Sequence, residues 1–299
     1  MAVPYIPLDK RGHRLVVGTR PLDMAKWLEV DGNRLVELTV KRELQPKINQ
    51  IFQQLDFSNA AVIELFELVA KHIDAHYSDM LKVLRSNNQV VEIVDLETKA
   101  SHKVDFENCN RLLILGAIFQ EDFCVMQKVN SEWLLTAAVL YSPSRWSLLE
   151  KIGNSLEGIH QPVPEYAEKL GKAVEMLFDR ITVAEPVWRA NWTVLDDPTN
   201  FQPTPPTQGN RKRLENVNLG QELFFRVERQ TLVRLPQTDA VIFTIRTYTN
   251  TLDELLASDP SHRELLSKAV ETTTEDHADY RGWEFIKPAL ESYLNDSDA

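Results

Sequence analysis

Two apolar periods alternate along this chain, and the points where one yields to the other divide it into parts of roughly 1–110, 111–250 and 251–299. The helical period prevails in the first part. Val36, Val40 and Leu44 recur at i, i+4, i+8 behind Asp31 or Asn33, either of which can cap a helix through about Leu44. Val36, Leu38 and Val40 also alternate with Glu37 and Thr39, so a strand competes there. After Ser58, Ile63, Phe66, Leu68, Val69 and Ile73 form one stripe of a helix that runs to about Tyr77. A short strand around Val90–Val94 and a polar stretch to Asn110 close this mainly helical region, which is expected to pack on the core.

Beyond residue 110 the period falls to two. Phe123–Val129 and Trp133–Tyr141 predict a hairpin around a short Asn-Ser turn. Ser147 and Glu150 have capping-box spacing for a short helix that Gly153 can end. An amphipathic helix follows over about Glu165–Ile181, with Tyr166, Leu170, Val174, Leu177 and Ile181 on its apolar face. Strands then run over Val187–Leu195, Leu223–Leu235 and Val241–Tyr248, the last two joined by a Pro-Gln-Thr-Asp turn. FQPTPPTQGNRKR, residues 201–213, reads as a long surface loop.

The helical period returns after residue 250. Asp259-Pro260 precedes a helix bearing Arg263, Leu265, Leu266 and Val270. GWEFIKPALESYL predicts a closing helix interrupted near Pro288, and NDSDA a short acidic tail.

The order of elements predicts an α+β fold. Its centre is a five-stranded antiparallel sheet with helices inserted after the second strand, flanked by N- and C-terminal helical segments. That is the arrangement of Per-Arnt-Sim (PAS) domains, which enclose a small-molecule cavity between the sheet and the inserted helices. Fold alone does not name a function.

Composition narrows the classes. At 43% hydrophobic and 26% charged, the 299 residues are those of an ordinary globular protein. A formal charge of −11 argues against nucleic-acid binding, and no apolar run approaches membrane-span length. The first residues lack a secretory h-region, so the expected location is cytoplasmic. Cys109 and Cys124 make no disulfide framework and no zinc or iron–sulfur set. His72 and His76 are one helical turn apart, but nothing in ligand spacing completes a metal set, so a solvated helix face is expected.

The chemistry concentrates in residues 141–164, which hold His160 in a stiffened setting. Ile159 precedes it, while Pro162 and Pro164 restrict the backbone that follows. A histidine so held suits an axial ligand of a metal or haem iron, or a core histidine bonded to a carbonyl. The strands carry a second signal. Arg226 and Glu228 share one face of their strand, Arg189 and Asn191 one face of theirs, and Arg246 and Tyr248 one face of the last. If those faces converge, Arg189, Arg226 and Arg246 gather beside Glu228, Asn191 and Tyr248 and can hold an acidic ligand. The alternative is a solvated outer sheet face.

There is no dinucleotide fingerprint, P-loop or nucleophile elbow, so redox chemistry here needs electrons from elsewhere. SPSRWSLLEKIG, IHQPVP, PVWRANW, FRVERQTLVRLP and FTIRTY occur in this order, and with them the chain from about Tyr5 to Leu294 resembles the haem-dependent oxidative N-demethylase α-subunit family. The resemblance implies a PAS-like domain binding haem b. It also implies oxygen-dependent N-demethylation of a small secondary amine, dimethylamine in the best-understood members, with NADPH, FMN and an iron–sulfur cluster on partner reductase subunits. Carried onto these motifs, His160 is the expected axial ligand of the haem iron. Arg145, Arg189, Arg226 and Arg246 are expected to anchor the cofactor. Glu228, and secondarily Tyr248, are the expected catalytic residues. The competing expectations are a non-catalytic haem or small-ligand module, such as a sensor or carrier, and a ligand-free scaffold.

Overall fold

Which face each strand presents is decided by pairing register, and register is where the molecule departs from the pattern in its sequence. The computed structural model describes residues 3–108, 110–205, 214 and 217–296. Cys109, residues 206–213 of the proline-rich loop and residues 297–299 of the acidic tail lie outside them.

The N-terminal part contributes β1 (Arg20–Pro21), α1 (Arg34–Glu43), α2 (Ile48–Ile51), β2 (Phe52–Gln54) and α3 (Asn59–His76), then β3 (Leu81–Ser86), β4 (Gln89–Asp95) and β5 (Ser101–Lys103). After α4 (Arg111–Ile118) come β6 (Asp122–Val129), β7 (Glu132–Val139), α5 (Leu148–Lys151), α6 (Leu156–His160), a π-helical turn at Tyr166–Gly171, and α7 (Lys172–Arg180). The chain continues through β8 (Val187–Leu195), α8 (Leu219–Glu222), β9 (Phe224–Arg234) and β10 (Val241–Thr251). It closes with α9 (Leu252–Ser258), α10 (His262–Thr272), α11 (Glu275–Tyr280) and α12 (Lys287–Asn295).

The fold is α+β. Seven strands form one antiparallel sheet in the order β1-β8-β9-β10-β6-β7-β2, and β3-β4-β5 form a second. The large sheet therefore carries two strands more than the five expected, because β1 and β2, both short and both from the N-terminal part, extend its edges. The β6–β7 hairpin turns through Asn130 (φ 50°) and Ser131 (φ 75°), two left-handed residues that match the twist of the paired strands.

Three apolar clusters fix the layers. On the first face of the sheet, Phe123, Val125, Ala137, Val139, Val233 and Ile242 pack under Trp27, Leu28 and α3. Burying Leu28 and Phe66 fully is worth roughly 1.5–3 kcal/mol each, which ties the N-terminal segment to the sheet. The second face packs Cys124, Met126, Leu135, Leu232 and Ile245 against α6, the π turn and α7. At one end, α9–α12 close over Trp192, Phe225 and Val227.

Register sorts the polar strand residues between these layers. Arg246 pairs with Arg229 and Tyr248 with Val227, so both lie on the first face. Arg226 and Glu228 pair with Thr249 and Thr247 on one side and with Thr193 and Asn191 on the other, while Arg189 pairs with Gln230. Those residues occupy the second face. The expected gathering of Arg246 and Tyr248 with Arg226, Glu228 and Arg189 therefore does not form. Alternation groups residues within one strand, but the hairpin at 235–240 sets which face meets which, and one residue of register reverses the match.

Local details differ as well. Ser147 precedes α5 with no side-chain cap bond, its carbonyl rather than its hydroxyl accepting from Glu150 N at 3.2 Å, whereas the Ser155 side chain caps α6 through Gly158 N. Gly153 (φ 80°) does end the α5 turn. Pro288 starts α12 rather than interrupting it, at the position where a missing N–H costs nothing.

Candidate functional site

His160 ends α6, and its ring is held by two contacts. Nδ1 lies 2.8 Å from the Leu156 carbonyl oxygen. A carbonyl only accepts, so Nδ1 carries the proton and the neutral ring keeps its lone pair on Nε2. Among the described residues, no hydrogen bond occupies Nε2. The ring also stacks on Tyr166, centroids 4.5 Å apart at 9°. Tyr166 opens the π turn directly after Pro164 and the left-handed Glu165 (φ 56°), which fixes where its ring can stand. Lys151 Nζ donates to Ile159 O at 2.7 Å and ties the neighbouring α5 to this helix. Burial lowers the His160 pKa; the Leu156 bond opposes this, and the charges of Lys151 and Arg189 add to it. The imidazole is thus neutral, oriented and ligand-competent.

Facing α6 and the π turn is the second face of the sheet, with Arg189, Asn191, Arg226, Glu228 and Gln230 along β8 and β9. Arg226 is fully buried and largely committed: Nη2 donates to Ser142 O at 2.6 Å and Nη1 to Asn200 O at 3.2 Å, with Glu228 Oε1 3.6 Å from Nη2. Gln230 Nε2 donates to the other Glu228 oxygen at 3.1 Å. Arg189 and Arg226 each leave a buried Nε without a hydrogen-bond partner among the described residues, but Arg189 has no bond of the kind that ties the Nη atoms of Arg226. Burial pushes the Arg189 pKa down, opposed by Glu228. Asn191 is exposed.

The remaining expected residues are engaged elsewhere. Arg145 (φ 63°) bonds Asp196 at 2.7 Å and the Arg281 carbonyl at 3.0 Å, so it staples the C-terminal helices to the core. Arg246, on the first face, bonds Glu37 at 2.8 and 2.9 Å and Asp31 at 2.8 Å. Burial alone would lower the pKa of Arg246, but Glu37 and Glu121 raise it instead. Tyr248 donates to Glu29, which also accepts from Tyr5 and pairs with Arg229 Nε at 3.1 Å. This network clamps the N-terminal segment onto the sheet, away from His160.

His72 and His76 touch, with ring centroids 4.6 Å apart, yet His72 is buried against Trp27 rather than solvated. Among the described residues, no group of three or more His, Cys, Asp and Glu side chains is arranged to hold a metal ion. A lone histidine retains iron only where a macrocycle supplies the equatorial nitrogens, so the donor set fits haem and no bare metal. A cavity of about 170 Å³ lies beside Tyr166, lined also by Glu157, Gly171 and Lys172, and a larger open cleft runs between α10 and α12, away from His160. The smaller is below the roughly 300–1,000 Å³ of ligand pockets, so by itself it is not the seat of a porphyrin. Among the described residues, no helix is long and apolar enough to cross a membrane.

Sequence reasoning missed the C-terminal wall of this region. His277 and Arg281, at α11, approach Glu165 and Trp192. Arg281 adjoins a Gly-Trp pair, but no local pattern distinguishes it from a surface arginine. Compared with known families, residues 18–291 match the one described as haem-dependent oxidative N-demethylase, alpha subunit-like.

Proposed function

The chain belongs to the haem-dependent oxidative N-demethylase, alpha subunit-like family, and from that premise we propose that it is the haem-carrying subunit of an oxygenase. It removes an N-methyl group from a small secondary amine of the dimethylamine kind. The observation that carries this reading is the His160 geometry: Nδ1 bound to Leu156 O, Nε2 free, ring stacked on Tyr166. The order of the five central strands supports a PAS-like core. In chain order they run third, fourth, fifth, first, second across the sheet, with α5–α7 inserted between the second and third.

His160 Nε2 would hold the iron of haem b, and Arg189, whose buried Nε has no hydrogen-bond partner among the described residues, would supply a donor on the sheet side of the cofactor. The bound haem supplies the site for oxygen activation and electron transfer. The chain's own residues do the rest. The Leu156 carbonyl keeps the imidazole in one tautomer and makes it a better donor. Tyr166 and the apolar residues of α6 limit water around it. Glu228 is the carboxylate of this sheet face, able to accept a bond from a protonated amine or hold a proton for delivery. Arg145, Arg226 and Arg246 act by holding the scaffold, and Tyr248, on the far face, takes no part in the chemistry. An alpha subunit implies further subunits, and on this reading those subunits are a reductase that carries NADPH, FMN and an iron–sulfur cluster.

The test supplies haemin-loaded protein with a chemical or enzymatic reductant, oxygen and dimethylamine, and measures formaldehyde. Parent activity with loss of most of it in Glu228→Gln supports the assignment. One observation favours a second reading: the charge of Glu228 is already matched by Arg226 at 3.6 Å, which suits a non-catalytic haem module such as a sensor or carrier. Haem uptake without formaldehyde from any small methylamine selects that reading.

A further inference from the structure

Arg281 is a cation in search of an anion. Its Nη1 is buried and has no hydrogen-bond partner among the described residues. The guanidinium lies 4.8 Å from the Trp192 ring and 5.0 Å from that of Trp283. Those rings orient it and attract it modestly, but neither accepts its remaining N–H bonds. Burial lowers its pKa to about 10, and no carboxylate counters that shift. The backbone around it is fixed, since Arg281 N donates to His277 O at 3.2 Å and the Arg281 carbonyl accepts from Arg145.

A second orphan stands beside it. His277 is 5% exposed, and its buried Nε2 also lacks a hydrogen bond. Glu165 Oε2 is 3.8 Å away, beyond hydrogen-bond reach, and the other Glu165 oxygen is held by Lys169. Buried polar nitrogens without partners are rare because each forfeits its hydration, and an uncompensated buried guanidinium is costlier still. Arg281 Nη1, with His277 beside it donating from Nε2 when the ring proton sits there, describes a receptor for an anionic group. The place matters: Glu165 leads directly into Tyr166, whose ring lies on His160.

We propose that Arg281 and His277 form the carboxylate-binding end of the haem site, taking the propionate groups of the porphyrin. The C-terminal helices thereby complete a site whose iron ligand comes from α6. This rests on the haem reading above. The structural role of a bidentate arginine is to set the porphyrin's orientation as well as its affinity.

The experiment titrates the parent apoprotein, Arg281→Met, Arg281→Lys and His277→Gln with haemin and, separately, with its dimethyl ester, whose carboxylates are blocked, following Soret absorbance. Arg281→Met is expected to weaken haemin about tenfold or more while leaving the ester within about twofold of the parent. Arg281→Lys and His277→Gln should lose less haemin affinity, with the same selectivity. The apoprotein of Arg281→Met should unfold at a urea concentration no lower than the parent, since an unpaired buried charge has gone. If Arg281→Met does not fold, the haemin-to-ester ratios of the other two variants decide. An unchanged ratio overturns the proposal while the haem reading stands. A parent that takes up neither porphyrin overturns both.

Discussion

Replacing Arg246 by Met separates the two faces of the sheet. The guanidinium is 1% exposed and makes three bonds of 2.8–2.9 Å to Asp31 and Glu37, with a fourth to Thr247 O at 2.7 Å. Met keeps the apolar stem and leaves two carboxylates without their cation. Removing one partner of a buried ion pair costs about 3–5 kcal/mol. Asp31 and Glu37 side chains are 38% and 23% exposed and recover part of their hydration, so the lower end, about 3 kcal/mol, applies. Urea unfolding of the apoprotein, followed by tryptophan fluorescence with Trp27 as a buried reporter, measures the loss. A haemin titration of the same variant, under conditions where it is folded, should match the parent. Arg189→Met should do the opposite, with stability within about 0.5 kcal/mol of the parent and weaker haemin binding. If Arg246→Met loses under 1 kcal/mol and binds haemin poorly, the sheet register argued above is refuted.

Two pH experiments test the histidines. Burial lowers the pKa of His72 to about 4, with His76 adding to the shift. Its unfolded value is near 6.5, so its stabilising contribution is complete above about pH 6.5 and lost as pH falls to about 4. The total is about 3 kcal/mol, and His72→Leu should flatten the stability–pH curve in that window. A curve of unchanged slope contradicts the assignment. For His160, whose pKa also lies below the ordinary value, haemin uptake should be constant from pH 8 to about 6.5, with the acid-release midpoint below that. A midpoint above 6.5 places the ligand on another group.

The five central strands, β6 to β10, and α3 were legible in the sequence because each repeats its period over enough residues to exclude the alternative, whereas β3 and β5 fell in the part read as mainly helical or polar. The β6–β7 turn was legible because Asn-Ser tolerates the left-handed backbone a two-residue hairpin demands. His160 stood out through its prolines. What the sequence could not supply is anything set by a second segment. The face on which Arg246 lies depends on how β10 pairs with β9, and its true partners, Asp31 and Glu37, come from some 200 residues earlier. β1 and β2 are two and three residues long, too short to show a period, and exist only because a sheet edge awaits them. Arg281 sits in turn sequence, and its burial follows from α11 docking on Trp192. Ser147 had the spacing of a cap, but Ser155 makes the cap bond.

The central claim is that His160 is the iron ligand. Absorption spectra of haemin-loaded parent and His160→Gly protein, with and without added imidazole, address it directly. The parent should show a Soret band of histidine-ligated haem. His160→Gly should lose or shift that band while keeping its far-ultraviolet circular dichroism, and imidazole should restore it by filling the vacated position. A His160→Gly protein whose spectrum is that of the parent, without imidazole, contradicts the account.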